Sequence, residues 1–122
     1  MKTGRVASEA LGRRAETACA WLLRANGYRL LATRWRVPVG EIDLIARRGR
    51  AIVFIEVKAR PTLSAALEAV TSRQRLRIEQ AAEVFLSQHP KWRNLEVRFD
   101  VMAVIPGRLP RHVRDAWRPG MP

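Results

Sequence analysis

Two short apolar runs, Glu41 to Arg47 and Ala51 to Lys58, are separated only by Arg48-Gly49-Arg50. Runs of this length, rich in isoleucine and valine and divided by a glycine, read as two antiparallel strands. Strand side chains alternate between faces, so the pairing register decides which residues meet. Setting Leu44 opposite Val53 and Ile42 opposite Ile55 collects Ile42, Leu44, Val53, Ile55 and Val57 on one wholly apolar face. A slip by one residue would mix these with carboxylates and bury charge, at a cost on the order of several kcal/mol each. The favoured register therefore predicts Glu41 opposite Glu56 and Asp43 opposite Phe54, with Lys58 one step further along the same side.

Opposite Cβ atoms in such a pair lie roughly 4.5–5.5 Å apart and diagonal ones roughly 7–8 Å apart, so the acids converge within reach of one divalent ion. Two unit charges 4 Å apart repel by about 4 kcal/mol at an effective dielectric of 20, which Lys58 alone does not offset for three carboxylates. A hard cation, Mg²⁺ or Mn²⁺, would offset it, and would also activate water and stabilise a leaving oxygen. These residue types suit phosphodiester hydrolysis. Asp43 and Glu56 are the expected ligands, the main-chain carbonyl of Val57 completes the shell, Glu41 is an additional ligand, and Lys58 orients the attacking water or neutralises developing charge. A Glu-x-Lys pair by itself is equally a polar strand end. The register that gathers Asp43 with it favours the site.

Around this hairpin the periodicity changes. Leu11, Ala15, Ala18, Cys19, Leu22 and Leu23 recur at helical spacing between Ser8 and Asn26, with Asn26-Gly27 as the stop. Tyr28 to Arg36 suits a strand. Thr71 and Gln74 have capping-box spacing ahead of a second long helix that ends near His89-Pro90. Glu96 to Ile105 alternates as a strand does, and His112 to Trp117 is either helical or extended. The order α-β-β-β-α-β predicts an α/β fold with a mixed sheet, a crossover helix and helices on both faces. At 122 residues, 48% of them hydrophobic, the chain suits one domain, with residues 1–7 and 118–122 expected to be loose.

The net charge of +12, from 23 Lys and Arg against 11 Asp and Glu, favours a polyanionic partner, chiefly nucleic acid. No apolar run approaches the roughly 18 residues of a membrane span. Cys19 is the single cysteine, which fits a reducing, cytoplasmic setting. His89 and His112 lack zinc-ligand spacing to each other or to Cys19. Arg73, Arg75 and Arg77 around the second helix start suit either backbone phosphate or a solvated face. Among the tryptophans, Trp35 between Arg34 and Arg36 is the candidate for base stacking. Asp100 is read as structural, paired with Arg98 or Arg60. Glu16, among Gly12, Cys19 and Ala20, reads on helical geometry as a boundary residue paired with Arg13 or Arg24.

Gly40-Glu41-Ile42-Asp43-Leu44-Ile45-Ala46, Val53-Phe54-Ile55-Glu56-Val57-Lys58-Ala59-Arg60 and Arg98-Phe99-Asp100-Val101 resemble the PD-(D/E)xK nuclease superfamily, and within it the bacterial YraN-like family. The resemblance covers nearly the whole chain. It implies a restriction-endonuclease-like three-layer fold with Asp43, Glu56 and Lys58 as a metal-dependent catalytic core, and it raises Glu16 to an accessory acid. Ile42 stands where the superfamily's nominal proline would be, and Gln74 stands where the YraN-like family usually has a lysine. Taken with the charge, nucleic-acid contacts are expected from Arg34, Arg36, Arg60, Arg73, Gln74 and Arg75. The function implied is an endonuclease acting on structured or branched DNA in repair or recombination. The alternative is a non-catalytic nucleic-acid-binding module that retains the fold. A homodimer would let paired sites make paired cuts.

Overall fold

The computed structural model describes residues 2–120, with side chains from residue 10 onward; the outermost parts of the expected loose ends, Met1 and residues 121–122, lie outside the described residues. Helix α1 (Lys2–Ala25) leads into strands β1 (Arg29–Val37), β2 (Gly40–Arg48) and β3 (Ala51–Ala59). Helices α2 (Leu63–Glu68) and α3 (Ser72–Gln88) follow, then a 3₁₀ turn (Pro90–Trp92) and strands β4 (Glu96–Val104) and β5 (Arg111–Trp117). The five strands form one sheet in the order β1-β2-β3-β4-β5. Only β3 and β4 pair in parallel, because α2 and α3 carry the chain across to the same end of the sheet.

Local chemistry accounts for the element ends. Gly27 takes φ +84, and the Tyr28 N–H donates to the Leu23 carbonyl at 2.9 Å, closing α1 with a left-handed glycine stop. Thr71 accepts from the Gln74 N–H at 3.2 Å to cap α3. Helix α2, which the hydrophobic pattern did not reveal, is capped by Thr62 accepting from the Ala65 N–H at 3.1 Å. The last segment is extended and pairs antiparallel with β4.

The hairpin forms, but two residues out of the expected register. Leu44 pairs with Ile55, Ala46 with Val53 and Arg48 with Ala51, so Leu44 does not face Val53. The turn explains the shift. Two-residue hairpin loops need positive φ at their first position. The expected register would put Arg48 there, whereas the observed one puts Gly49, at φ +59. A two-residue slip preserves side-chain faces, so the apolar pattern could not distinguish the two registers.

The sheet separates two cores. Leu44, Ala46, Val53, Ile55 and Met102 pack with Cys19 and Leu23 of α1. Ile45, Ile52, Phe54, Phe99 and Val101 pack with Ile78, Ala81, Ala82 and Phe85 of α3. The result is a three-layer α/β fold. Ile42 departs from the expected single face: it belongs to the α3 cluster and Leu44 to the α1 cluster. Alternation is broken at Asp43, where the β2–β3 pairing also ends, its last pair being Leu44 and Ile55.

Gly40 sets how closely β2 approaches α3. A Cβ at this position would lie 2.6 Å from the Arg77 carbonyl oxygen, and that backbone atom has no rotamer by which to move away. Gly40→Ala is expected to cost about 1–3 kcal/mol by overpacking, read as a fall in Tm of roughly 5–10 °C in thermal denaturation.

Candidate active site

The β2–β3 ladder stops one pair before the acidic residues, and Asp43 fills the gap. Its Oδ2 accepts from the Val57 N–H at 2.8 Å, a side chain standing where a ladder carbonyl would otherwise be. A strand residue directs its N–H and C=O toward the same neighbour, so the Val57 carbonyl faces this gap too. Glu56, one residue earlier and only 4% exposed, is near enough to Asp43 for the two carboxyl groups to interact electrostatically. Burial, and then the Asp43 carboxylate beside it, pushes the Glu56 carboxyl up from 4.5 to about 10, with Lys58 pulling the other way.

Gln74 completes this group. It makes only half of the capping box that its spacing predicts: its main-chain N–H reaches Thr71, while its side-chain Nε2 donates to Glu56 Oε2. Gln74, where the resemblance implied a lysine, therefore bonds Glu56 directly, with a neutral amide in place of a cation.

Glu41 is not opposite Glu56. It pairs across the other edge of β2 with Arg36, whose Nε lies 3.1 Å from Glu41 Oε1. This follows from the hairpin register, which leaves β2 without a β3 partner beyond Leu44. Glu16 pairs with Arg34 at 2.7 Å rather than with Arg13 or Arg24. Glu16, Glu41 and Asp43 nonetheless line one cleft of about 410 Å³, together with Arg13, Arg34 and Arg36. Among the described residues, no three His, Cys, Asp or Glu side chains form a metal-ligating group; the expected triple convergence is reduced to the Asp43–Glu56 pair.

The expected nucleic-acid contacts divide. Arg73 and Gln74 line an adjoining cleft of about 560 Å³ with Glu41, Thr71 and Arg77. Arg34 and Arg36 are engaged by Glu16 and Glu41. Arg75 turns elsewhere, its guanidinium 5.7 Å from the Trp117 ring centroid, and Arg60 bonds the carbonyl of Ala59. Trp35 is half-buried and packs against the α3 core, edge-on to Phe85 at 5.2 Å, rather than standing free in the cleft. Arg13, expected only as a partner for Glu16, lines the cleft, and Trp21, set aside in favour of Trp35, is 65% exposed and falls off the apolar stripe of α1. Asp100 is fully buried and pairs with Arg98, not Arg60. No helix among the described residues is long and apolar enough to cross a membrane.

Fold and site together define a three-layer α/β protein with one buried carboxylate, Glu56, and one half-buried carboxylate, Asp43, where two central strands part. The chain belongs to the family described as "Uncharacterised protein family UPF0102", whose model matches residues 15–104, a span that includes Glu16, Asp43, Glu56, Lys58 and Gln74. It is 51% identical to a UPF0102 protein of Parvibaculum lavamentivorans over 93% of this chain and 86% of the relative. It is 50% identical to one of Maricaulis maris over 98% and 94%, and 47% identical to one of Caulobacter vibrioides over 91% and 89%.

Proposed function

We propose that this chain is a divalent-metal-dependent endonuclease of the PD-(D/E)xK type, restriction-endonuclease-like in fold, that hydrolyses phosphodiester bonds of structured or branched DNA. The observation that carries the reading is the Asp43–Glu56 pair at the end of the β2–β3 ladder, with Lys58 two residues further along the same strand face. Two carboxylates this close, one of them 4% exposed, suit a site completed by a cation. Asp43, Glu56 and the Val57 carbonyl are the groups that would hold Mg²⁺ or Mn²⁺, which would supply water activation and charge neutralisation at the phosphate. Gln74 orients Glu56, Lys58 presents positive charge beside it, and Glu16 and Glu41 bound the cleft. The net charge of +12 and the arginines at the rim suit a polyanionic substrate.

A non-catalytic nucleic-acid-binding module is favoured by one observation: the described residues bring two carboxylates together, not three. Calorimetric titration with Mn²⁺ separates the readings. Wild-type protein is expected to bind the ion and to gain several degrees in Tm, since a ligand that binds only the folded state stabilises it. Glu56→Gln is expected to lose both effects, and to raise the Tm of metal-free protein by removing a buried carboxyl. An ion effect that persists in Glu56→Gln would overturn the site, as would no binding at all.

A further inference from the structure

The acidic cleft is the middle of a longer groove. At one end it shares Glu41 with the cleft of Arg73 and Arg77. At the other it shares Arg13, Glu16 and Arg34 with a depression of about 350 Å³ that extends along α1 to Arg24. Arg24 lies with its guanidinium 5.5 Å from the Trp21 ring centroid. A single exposed apolar residue needs no explanation. Here, however, a large ring 65% exposed is held by a cation that also lines the groove, which keeps its orientation while leaving aromatic surface open to a ligand.

We propose that Trp21, backed by Arg24, is a stacking platform for an unpaired base, so that the substrate is a nucleic acid presenting single-stranded nucleotides along α1 beside the Asp43 cleft. This rests on reading that cleft as a nucleic-acid site. From Glu16 to Trp21 is about 7.5 Å along the helix axis, so the ring stands close to the cleft. Arg13 and Arg24 place positive charge along that path, and aromatic stacking combined with a cationic track is the chemistry that holds single strands without reading their sequence. Bases within an intact duplex are already stacked on one another and do not offer a free face. The platform therefore selects tails, flaps and junction arms over blunt duplex.

The test is fluorescence anisotropy with three labelled DNAs in EDTA: a blunt duplex, the same duplex carrying a single-stranded tail, and the free single strand. Trp21→Ala is expected to weaken binding of the tailed and single-stranded probes about ten-fold and to leave the blunt duplex unchanged, while Trp21→Phe retains most of the affinity. Circular dichroism checks that both variants are folded. Equal affinity of Trp21→Ala and wild type for the tailed probe overturns the proposal, as does an equal loss on the blunt duplex. Asp43→Ala protein should show the same dependence on Trp21. Binding through Trp21 without any cleavage by wild-type protein would therefore overturn the nuclease reading while leaving this one standing.

Discussion

Asp43→Ala is expected to lower Mn²⁺-dependent DNA cleavage by about 10³-fold or more, equivalent to ~4 kcal/mol of transition-state stabilisation. Asp43 occupies the one position that joins the parts of the site. It accepts the Val57 N–H at 2.8 Å, stands beside Glu56 and faces the cleft shared with Glu16 and Glu41. Truncation removes the carboxylate and also leaves the Val57 N–H without its acceptor, at a cost to stability of about 1 kcal/mol. Asp43→Asn separates these effects, because its amide oxygen still accepts from Val57 while the negative charge is gone. The Asn variant should therefore match wild type closely in Tm and be nearly as defective as Ala in cleavage. Assays with linear, flapped and four-way junction DNA in Mg²⁺ or Mn²⁺ measure this. Cleavage by Asp43→Ala within ten-fold of wild type, or no cleavage by wild-type protein on any of these substrates, would sink the endonuclease reading.

The second large effect is on stability, at the opposite side of the sheet from α3. Asp100 is fully buried and accepts from Arg98 Nε at 2.9 Å, Arg98 Nη2 at 2.8 Å and the Asp115 N–H at 2.9 Å. His112 Nε2 lies 2.6 Å from its Oδ2, and since an ionised carboxylate only accepts, that ring nitrogen carries the hydrogen. Arg98 in turn donates to the Tyr28 hydroxyl at 2.7 Å, so one carboxylate ties β4 to β5 and to the exit of α1. It also holds the Asp115 main chain at φ +53, a left-handed conformation that costs a non-glycine residue free energy. Asp100→Ala leaves Arg98 without its counter-charge and the Asp115 N–H without an acceptor. The expected loss is about 3–5 kcal/mol, a fall in Tm of roughly 10–20 °C.

The same network predicts a pH dependence. Burial opposes ionisation of Asp100, but hydrogen bonds from His112, Arg98 and the Asp115 N–H outweigh it and hold its pKa below the ordinary 3.8. The unfolded chain therefore takes up this proton first as pH falls. The stabilisation is fully present above about pH 4 and is lost progressively below it, as pH falls toward the lower folded value. Chemical denaturation of wild type should show this acid loss, and the profile of Asp100→Asn should be flatter below pH 4. Equal slopes for the two proteins would mean that Asp100 does not carry the effect.

The pairing of Asp100 was half legible in the sequence. Alternation in β4 placed it beside a same-face arginine two residues away, and Arg98 is its partner. His112 and Asp115, on a segment that read equally as helix or strand, could be assigned to it only once β5 was seen beside β4. Glu16 followed a similar course: its place on α1 was evident, but its partner Arg34 lies on a different element, across a gap that helical spacing does not describe.

By itself the sequence determined most of the elements, though not α2 or the extended state of β5, because helical and alternating periodicities, the Asn26-Gly27 stop and the Thr71 cap act over a few residues. It also singled out Asp43, Glu56 and Lys58 by chemical type. Tertiary structure decided how these meet. Gly49, by its positive φ, sets a hairpin register two residues from the one the apolar faces allow equally well, and the parting of β2 from β3 beyond Leu44 separates Glu41 from Glu56. That parting leaves Asp43 to bond the Val57 N–H and brings Gln74 of α3 onto Glu56. Burial patterns record which face a side chain occupies, whereas register, strand divergence and the approach of a distant helix are set by main-chain geometry that leaves no period in the sequence.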